Sequence, residues 1–169
     1  MAILNLSQNK IVLIDDEDFE RVNQFKWCYL ANYGASKHIT GYAARSDYTN
    51  GKKTIYLHKF LLNPPVGLKV DHINGNGLDC RKENLRIATV AQNCFNRAIA
   101  IDSTSGFKGV YWKPAHKKFV ASITVQGKQK HLGLFNSAVD AAMCYDRHAR
   151  LYYGDFAAVN FPAIGERQC

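Results

Sequence analysis

Paired cysteines, long apolar runs and internal repeats are all missing from this chain of 169 residues. Its five cysteines form an odd set without any C-x-x-C pair, which argues against a disulfide framework and against a structural zinc ribbon. No run approaches the ~18 apolar residues of a membrane span, so no membrane association is expected. The absence of repeats and low-complexity tracts argues against a solenoid and against a disordered tail.

Acidic residues are also missing from residues 103 to 139, although that stretch carries six lysines. The whole chain has a formal net charge of +8, so much of the excess lies in this one segment. A local excess of positive charge is typical of a surface that binds a polyanion, whereas a merely solvated surface usually mixes both signs. The lysines are Lys108, Lys113, Lys117, Lys118, Lys128 and Lys130.

The remaining composition is that of a folded protein, with 47% hydrophobic and 12% aromatic residues. A length of 169 residues allows one ordinary domain or two small ones. The first residues, MAILNL, include neither a basic leader nor a long apolar core, so we expect no secretory signal and a cytoplasmic protein. The five cysteines are then expected to be reduced thiols.

Two side chains suited to acid–base and metal chemistry, Asp71 and His72, lie near the end of a predicted strand. Residues 68 to 73 alternate loosely between apolar and polar, and the Asn-Gly-Asn-Gly run at 74 to 77 tolerates positive φ. We therefore expect a strand that ends in a tight loop. Neighbours on a strand point to opposite faces, so Asp71 and His72 would flank one scissile phosphate rather than meet at one atom.

A return strand and a helix are predicted after this loop. Residues 85 to 88 predict the strand. Thr89 and Gln92 have the spacing of a capping box and predict a helix that continues to about Arg97. Asn93 is then expected in the first helical turn, near the sheet.

Side chains of these kinds suit the hydrolysis of a phosphodiester. At neutral pH that reaction needs a base to deprotonate water and a hard cation to neutralise charge on the phosphoryl and leaving oxygens. A carboxylate and an amide suit Mg²⁺ or Mn²⁺ better than a closed zinc site, so we expect one such ion per active site and no zinc. The alternative for an isolated Asp-His dipeptide is an ordinary surface pair.

The order strand, loop, strand, helix, with Asn84 and Asn93 placed 12 and 21 residues after His72, closely resembles the HNH endonuclease family and its ββα-metal fold. By that likeness His72 would be the general base, and Asp71 and Asn93 would bind one divalent cation. Asn84 would hold the loop against the strand and so orient His72, a structural role within the catalytic group. Asn96, almost one turn further along the helix, is the alternative to Asn93.

The chain departs from the family pattern at Cys80, where many relatives have asparagine, and this concerns a loop hydrogen bond rather than the active site. His58 matches a histidine that often precedes the family's motif. Its role is open between a hydrogen-bonded strand histidine, a phosphate contact and an accessory active-site residue. Arg81, Lys82 and Arg86 are expected to contact DNA around the site.

A second domain is predicted after a short linker at residues 98 to 106. Ser137 begins a predicted helix whose apolar positions recur at three- and four-residue steps, and Gly154 supplies the stop. The alanines of this helix permit a close approach to one face of a sheet and leave the other face free. The sheet is predicted to have three antiparallel strands, at residues 107 to 112, 118 to 125 and 130 to 135.

Residues 105 to 162 look like the Apetala/ethylene-response-factor type of DNA-binding domain, through Phe-Lys-Gly-Val at 107 to 110 and Val-Asn-Phe-Pro at 159 to 162. That family lays its sheet in the major groove. Lysine acts mainly as a point charge, so we expect phosphate anchoring with modest base selectivity. Trp112 is expected in the core. The expected DNA contacts are Lys108, Tyr111, Lys113, Lys118, Ser122, Thr124, Lys130 and His131.

The N-terminal region is predicted to form a small sheet of its own. Residues 16 to 25 predict one short helix, whose acids near its N-terminal end suit the helix dipole. The strands expected to pair are residues 10 to 14, 27 to 33, 41 to 45 and 53 to 57.

The expected fold class is therefore α+β. A small N-terminal sheet and a ββα-metal nuclease core at about residues 57 to 97 would be followed by a three-stranded antiparallel sheet packed on one helix. The corresponding domains are residues 1 to 100 and 105 to 162, with a tail at 163 to 169.

Together the two resemblances imply a homing endonuclease of the phage or intron type. It would hydrolyse double-stranded DNA, by a nick or a double-strand cut, to a 5′ phosphate and a 3′ hydroxyl, in the cytoplasm of a phage-infected bacterial cell or its equivalent. A monomer is expected, with a dimer as the alternative. Two rival functions stay open: a non-catalytic DNA-binding regulator on a degenerate nuclease fold, and an RNA-directed module, which the narrow, deep major groove of RNA disfavours.

Overall fold

The computed structural model describes residues 1–33, 39–96, 99 and 103–169. These residues fall into two compact units, Met1–Val90 and Ala91–Cys169, and each unit has its own buried core. Arg97, where the predicted nuclease helix was expected to end, and much of the predicted linker lie outside the described residues.

Small antiparallel sheets and short helices make up the first unit. In chain order its elements are β1 (Ala2–Asn5), β2 (Ile11–Ile14), α1 (Phe19–Asn23), β3 (Cys28–Tyr33), β4 (Ile39–Asp47), β5 (Lys53–Tyr56), α2 (Leu57–Leu62), β6 (Lys69–His72) and β7 (Leu85–Ala88). Strands β1 and β2 form one hairpin, β3, β4 and β5 form a sheet in that order, and β6 and β7 form a second hairpin.

The core of the first unit collects one or two side chains from most of these elements. Val12 and Ile14 of β2 are fully buried, as the two-residue period of a half-buried strand requires, whereas Ile11, which precedes Val12, is exposed. Val22 of α1 and Leu57 of α2 complete the most deeply buried set. Full burial of each such side chain stabilises the fold by about 1.5–3 kcal/mol.

The strand predicted at 53 to 57 is confirmed except at its end, because the chain turns into helix α2 at Leu57. Leu57 and Leu61 lie four residues apart and are both buried, so one side of α2 packs on the core. Asn63 follows in the left-handed conformation with φ 42°, and the two prolines after it cannot continue the helix. His58 therefore lies on a helix, and the alternative of a strand histidine is wrong.

The strands predicted at 10 to 14, 27 to 33 and 41 to 45 are confirmed as β2, β3 and β4. The expected single sheet is confirmed for β3, β4 and β5 and is wrong for β2. Strand β2 pairs instead with β1, an element that the sequence did not indicate. Alternation predicts that a segment is a strand but does not specify its partner. The helix predicted at 16 to 25 is shorter, with a 3₁₀ turn at Asp16–Asp18 before α1.

The second unit is a three-stranded sheet with one long helix across it. Its elements are α3 (Val90–Phe95), β8 (Val110–Lys113), β9 (Lys118–Val125), β10 (Lys128–Phe135), α4 (Ala138–Tyr153), β11 (Ala158–Val159) and β12 (Arg167–Gln168). Helix α3 begins at Val90, which is the last residue of the first unit. The sheet has the order β10-β9-β8 with antiparallel neighbours, so the three strands predicted here are present.

Helix α4 begins and ends at the residues that the sequence indicates. The hydroxyl of Ser137 accepts a hydrogen bond from the amide of Val139 at 3.1 Å, and Gly154 follows the last turn with φ 53°. Alanines of α4, including Ala141 and Ala149, are fully buried against the sheet. At 16 residues α4 is too short for a bilayer span, and the other helices within the described ranges also lack the length and hydropathy of one.

The residues predicted as a C-terminal tail pack on the second unit. Strand β12 pairs in parallel with β11, and Arg150 of α4 forms an ion pair with Glu166 at 2.7 Å. Asn160 and Phe161 lie just before this tail. Their backbone amides donate hydrogen bonds to the buried carboxylate of Asp146 at 2.8 Å and 2.7 Å. These bonds attach the chain after β11 to α4.

Candidate functional site

Asp71 and His72 end strand β6 and are almost completely removed from water, with 5% and 6% of their surface exposed. In the β6–β7 hairpin Asp71 lies opposite Arg86, and His72 lies opposite Leu85. Successive strand residues point to opposite faces, and the two side chains accordingly have different neighbours. Burial of both polar groups at a strand end distinguishes them from an ordinary surface pair.

The loop after His72 is held by the buried side chain of Asn84. The Oδ1 atom of Asn84 accepts a hydrogen bond from the amide of Asn74 at 2.9 Å, and its Nδ2 donates to the carbonyl of Asp79 at 2.8 Å. Its own carbonyl accepts from the amide of Ile73 at 2.8 Å. Asn84 therefore fixes both ends of this loop beside His72.

Asp79 closes the same loop through its carboxylate. It accepts hydrogen bonds from Nε and Nη2 of Arg81, both at 2.7 Å, and from Nδ2 of Asn74 at 2.9 Å. The hydrogen bonds from Arg81 hold the pKa of Asp79 below its ordinary value, although burial opposes this effect. Arg81 also lies 2.5 Å from Glu83, so this expected DNA contact is engaged by carboxylates of its own chain.

Lys82, a second expected DNA contact, is engaged in the same way. Its backbone amide donates to Asp15 at 2.7 Å, and its ammonium group contacts Glu17 and Asp18. These bonds connect the 3₁₀ turn before β7 to the acidic segment that follows β2.

The imidazole of His72 lies between aromatic rings and a thiol. Ring centroids of His58 and Tyr42 lie 5.0 Å and 5.8 Å from that of His72, with interplanar angles of 80° and 47°. Sγ of Cys80 lies 3.9 Å from Nε2 of His72. Burial raises the pKa of the Cys80 thiol to about 12, so this position adds no negative charge beside His72 at neutral pH.

His58 is buried among the same rings, with Tyr56 stacked at 5.6 Å and 29°. Its Nδ1 atom has no hydrogen-bond partner among the residues that the structure describes. Burial, together with the nearby charges of His72 and Lys59, lowers the pKa of His58 to about 3. His58 is therefore a neutral imidazole at any pH near neutrality.

Asp71 forms an ion pair with Arg86, whose Nε and Nη2 donate to Oδ2 at 2.9 Å and 2.8 Å. A metal ion bound by Asp71 would share this carboxylate with the guanidinium, and a carboxylate has about four lone-pair sites for such bonds. An oxygen donor of this kind fits Mg²⁺ or Mn²⁺. Within the described ranges, no group of three or more His, Cys, Asp or Glu residues is arranged to hold a metal ion.

Asn93, the other expected metal ligand, is half-buried on α3, and the alternative Asn96 is buried just after that helix. Asn93 belongs to the second unit and Asp71 to the first, so their joint ligation of one ion stays a prediction. Within the second unit, Phe95 of α3 stacks on Tyr153 of α4 with centroids 3.9 Å apart.

Six expected DNA contacts share the face of the β8–β10 sheet that lies away from α4. Val110, Ala121 and Ile123 pack on the α4 side, and the two-residue period places their strand neighbours on the opposite side. No acidic residue occurs in these strands. We call this surface the open face of the sheet, and it carries Tyr111, Lys113, Lys118, Ser122, Thr124 and His131.

The structure does not bring Lys108 and Lys130 onto the open face. Lys130 shares the α4 side with its partner Ile123, and its ammonium group lies 4.7 Å from the ring centroid of Tyr152. Nζ of Lys108 donates to the carbonyl of Phe95 at 2.7 Å, and burial lowers the pKa of Lys108 to about 8.

The prediction that Trp112 belongs to the core is wrong, because 42% of its surface is exposed. Its ring packs edge-on against Phe119 at 4.9 Å. The core beneath α4 includes Val110 and Phe119 but ends before Trp112, which lies next to the last residue of β8. Strand alternation indicates a side of the sheet but not how far the covering helix reaches.

Sequence reasoning missed Tyr42 as a neighbour of His72, because β4 and β6 are remote in sequence. One weak signal exists in the Asn-Gly-Asn-Gly loop. A Cβ atom at Gly77 would lie 2.4 Å from the carbonyl oxygen of Gly41 and 2.7 Å from the ring of Tyr42, so the loop packs directly on β4. A glycine without positive φ indicates such a close approach but does not identify the partner.

Known proteins share the segment that carries this site. A family model described as HNH endonuclease matches residues 63–94. The chain is 31% identical over 148 residues to the uncharacterized HNH endonuclease L560 of Acanthamoeba polyphaga mimivirus, across 84% of this chain and 74% of that protein. It is 33% identical over 93 residues to Protein 3.8 of Escherichia phage T7, across 55% of this chain and 76% of that protein. No solved structure matches the chain.

Proposed function

This chain belongs to the HNH endonuclease family, and from that premise we propose that it is a metal-dependent endonuclease that hydrolyses double-stranded DNA. The observation that carries the proposal is the buried Asp71-His72 pair at the end of β6, next to a loop that Asn84 holds in place. The matched family segment includes these three residues and Asn93.

In the proposed reaction His72 takes a proton from a water molecule in line with the leaving 3′ oxygen. The water oxygen bonds to phosphorus as the bond to the 3′ oxygen breaks, and the 3′ oxygen takes up a proton from solvent. The products are a 5′ phosphate and a 3′ hydroxyl. Asn84 keeps the loop beside His72 in place, and His58 is neutral, so it does not oppose the positive charge that His72 gains.

We propose that Asp71 and Asn93 would hold one Mg²⁺ or Mn²⁺ ion, as the family likeness implies. Such an ion, when bound, neutralises charge on the phosphoryl and leaving oxygens. Arg86 would keep the carboxylate of Asp71 oriented through its two N–H donors.

The open face of the sheet is our proposed anchor for the DNA backbone. Its support is the absence of acids from β8–β10 together with Lys113 and Lys118, which lie opposite each other across two strands. Tyr111 is 44% exposed on the same face and is available to a nucleotide or sugar. A nuclease unit joined to such a surface suits a homing endonuclease that holds one site on long DNA.

A second candidate function is a DNA-binding regulator on a nuclease fold that no longer cuts. One observation favours it: Nε and Nη2 of Arg86 both engage Oδ2 of the carboxylate that the metal would need. The same chain would then bind DNA through the open face without hydrolysing it.

Incubation of supercoiled plasmid with the full-length protein separates the two candidates. The nuclease predicts relaxed or linear DNA with Mg²⁺, intact DNA with a chelator, and renewed cleavage when Mg²⁺ is added in excess. A protein that shifts the plasmid in a gel but leaves it intact with both Mg²⁺ and Mn²⁺ is the regulator. Cleavage that is unaffected by the chelator would contradict the metal requirement.

A further inference from the structure

Two elements of the first unit, β4 and α2, bring the rings of Tyr42 and His58 against the imidazole of His72. We propose that His58, with Tyr42, is a positioning residue that holds this imidazole in its reactive orientation by ring packing. The inference rests on the proposed function, because it takes His72 as the base that accepts the proton of water.

The geometry around His72 is that of a packed aromatic cluster. His58 meets it almost perpendicularly, with centroids 5.0 Å apart, and Tyr42 lies 5.8 Å away. Tyr42 and His58 are themselves 5.3 Å apart, and Tyr56 stacks behind His58. Edge-to-face pairs at 4.5–7 Å are the favourable arrangement of such rings. The imidazole of His72 is therefore contacted by two rings that also support each other.

His58 contributes its ring rather than a hydrogen bond. Its Nδ1 atom is buried and has no partner within the described part of the chain, and its ring lies edge-to-face with that of His72. A buried nitrogen without a partner lowers stability, so a phenylalanine of similar shape would pack at least as well here. This prediction separates a packing role from a phosphate contact or proton transfer, both of which need the nitrogen.

Ring packing matters for the reaction because a base must be aligned with the water that it deprotonates. A misplacement of about 1 Å in a reacting group can cost on the order of 100-fold in rate. Removal of the ring at position 58 would let the His72 side chain sample other rotamers. Such freedom lowers the rate of the bound complex and leaves the affinity for DNA unchanged.

Two substitutions at His58 test the proposal in the full-length protein with Mg²⁺. His58→Leu keeps a similar volume without a planar ring, and we expect kcat to fall about tenfold or more with KM unchanged. His58→Phe restores the ring, and we expect kcat within about threefold of the wild type with an equal or higher unfolding temperature. Tyr42→Leu and Tyr42→Phe repeat the comparison from the other neighbouring ring.

A spectroscopic measurement reports on the ring contact independently of activity. The Cε1–H proton of His72, assigned by its loss in His72→Ala, experiences the ring currents of its neighbours. We expect its chemical shift to move in His58→Leu and to return towards the wild-type value in His58→Phe. Tyr48→Leu is the matched control, since Tyr48 is an exposed aromatic residue of the same unit.

The outcomes distinguish the inference from the function on which it rests. If His58→Phe is as slow as His58→Leu, or if His58→Leu cuts as fast as the wild type, positioning by the ring is refuted. If the Leu variant does not fold, the Phe variant alone decides, because a large loss of kcat in a folded Phe variant refutes the proposal. If His72→Ala cuts as fast as the wild type, the assignment of His72 as the base fails and the inference fails with it, whereas a wild-type protein that does not cut DNA with Mg²⁺ refutes the proposed function itself.

Discussion

Arg86 was expected to contact DNA, but its guanidinium is bound to Asp71 in an ion pair with side-chain exposures of only 16% and 7%. Two opposite charges at such burial depend on each other, because removal of one leaves the other without compensation in a poorly solvated place. The pair therefore holds the proposed metal-binding carboxylate and also contributes to the stability of the β6–β7 hairpin.

Arg86→Met should lower the free energy of unfolding by about 3 kcal/mol, because it removes the ion-pair partner of a buried carboxylate. Urea denaturation measures this change. The double variant Arg86→Met with Asp71→Asn should recover most of the loss, since neither residue is then charged. Equal losses in the single and double variants would contradict a paired role for the two residues.

Lys108 gives the second unit a predictable dependence on pH. The pKa of Lys108 is about 8 in the folded protein and 10.5 in an ordinary lysine, so between these values only the unfolded chain binds the proton. The residue's contribution to folding stability therefore rises as the pH increases from about 8 to about 10.5.

Comparison of the wild type with Lys108→Met isolates this contribution, because other titrating groups cancel in the difference. The stability difference between the two proteins should shift in favour of the wild type by more than about 1 kcal/mol between pH 7 and about pH 10. Urea denaturation at each pH provides the measurement. A difference that is constant with pH would mean that the ammonium group is solvated in the folded state.

The sequence could predict single residues of the site where chemistry and spacing coincide. Asp71, His72 and Asn84 could be proposed because their types and intervals are specific, and the structure shows hydrogen bonds from Asn84 to the loop beside His72. Tyr42 could not be found, because its role depends only on where β4 packs. The engagement of Arg81 by Asp79 depends on loop conformation, which charge patterns do not reveal.

At the level of elements, the β-strands of the second unit were predictable because their alternation is regular and turn residues separate them. Helix α2 could not be predicted, because six residues are too few for a helical period to stand out from the strand before it. The partner of β2 was also not predictable, since β1 offers four residues with no turn of a recognisable type before β2.

Lysines on the two faces of the sheet are expected to contribute differently to the salt dependence of DNA binding. Lys113 and Lys118 lie on the open face, whereas Lys128 and Lys130 lie opposite core-facing residues of β9 on the α4 side. If Lys113 and Lys118 each neutralise one phosphate, together they contribute about −2 to the slope of log K for DNA against log salt. Only phosphate contacts contribute to this slope.

Lys113→Gln with Lys118→Gln should reduce the magnitude of that slope by about 2, since each lost phosphate contact removes about 0.9. The matched pair Lys128→Gln with Lys130→Gln removes the same charge and should reduce it by less than about 1. Fluorescence anisotropy at several salt concentrations, with a chelator present to prevent cleavage, gives both slopes. A larger effect from the second pair would place the DNA on the other side of the sheet.

At the scale of the whole molecule, the two units differ in how their charges are used. Several basic side chains of the first unit form ion pairs with acidic side chains of the same unit, as in the contacts of Arg81, Lys82 and Arg86. The strands of the second unit carry lysines and no acid, so their field is not cancelled locally. This division suits a first unit that performs chemistry and a second unit that attracts and holds a polyanion.

The proposed division into two functions could be inferred from the sequence, because it depends on composition and motif spacing. The relative contribution of each unit to DNA affinity could not be predicted from the sequence. A lysine contributes to that affinity only where its ammonium group reaches solvent. Lys108 shows the difference: it is one of the six lysines of the acid-free segment, yet its ammonium group is bound to a backbone carbonyl.

The single-turnover rate of DNA cleavage by His72→Ala, with enzyme in excess and Mg²⁺ present, is the most direct test of the central claim that His72 is the base. We expect a rate about 10²- to 10⁴-fold below that of the wild type at equal DNA occupancy. His116→Ala, which removes an exposed histidine, should cleave at the wild-type rate. Cleavage by His72→Ala within a few-fold of the wild type would contradict the account.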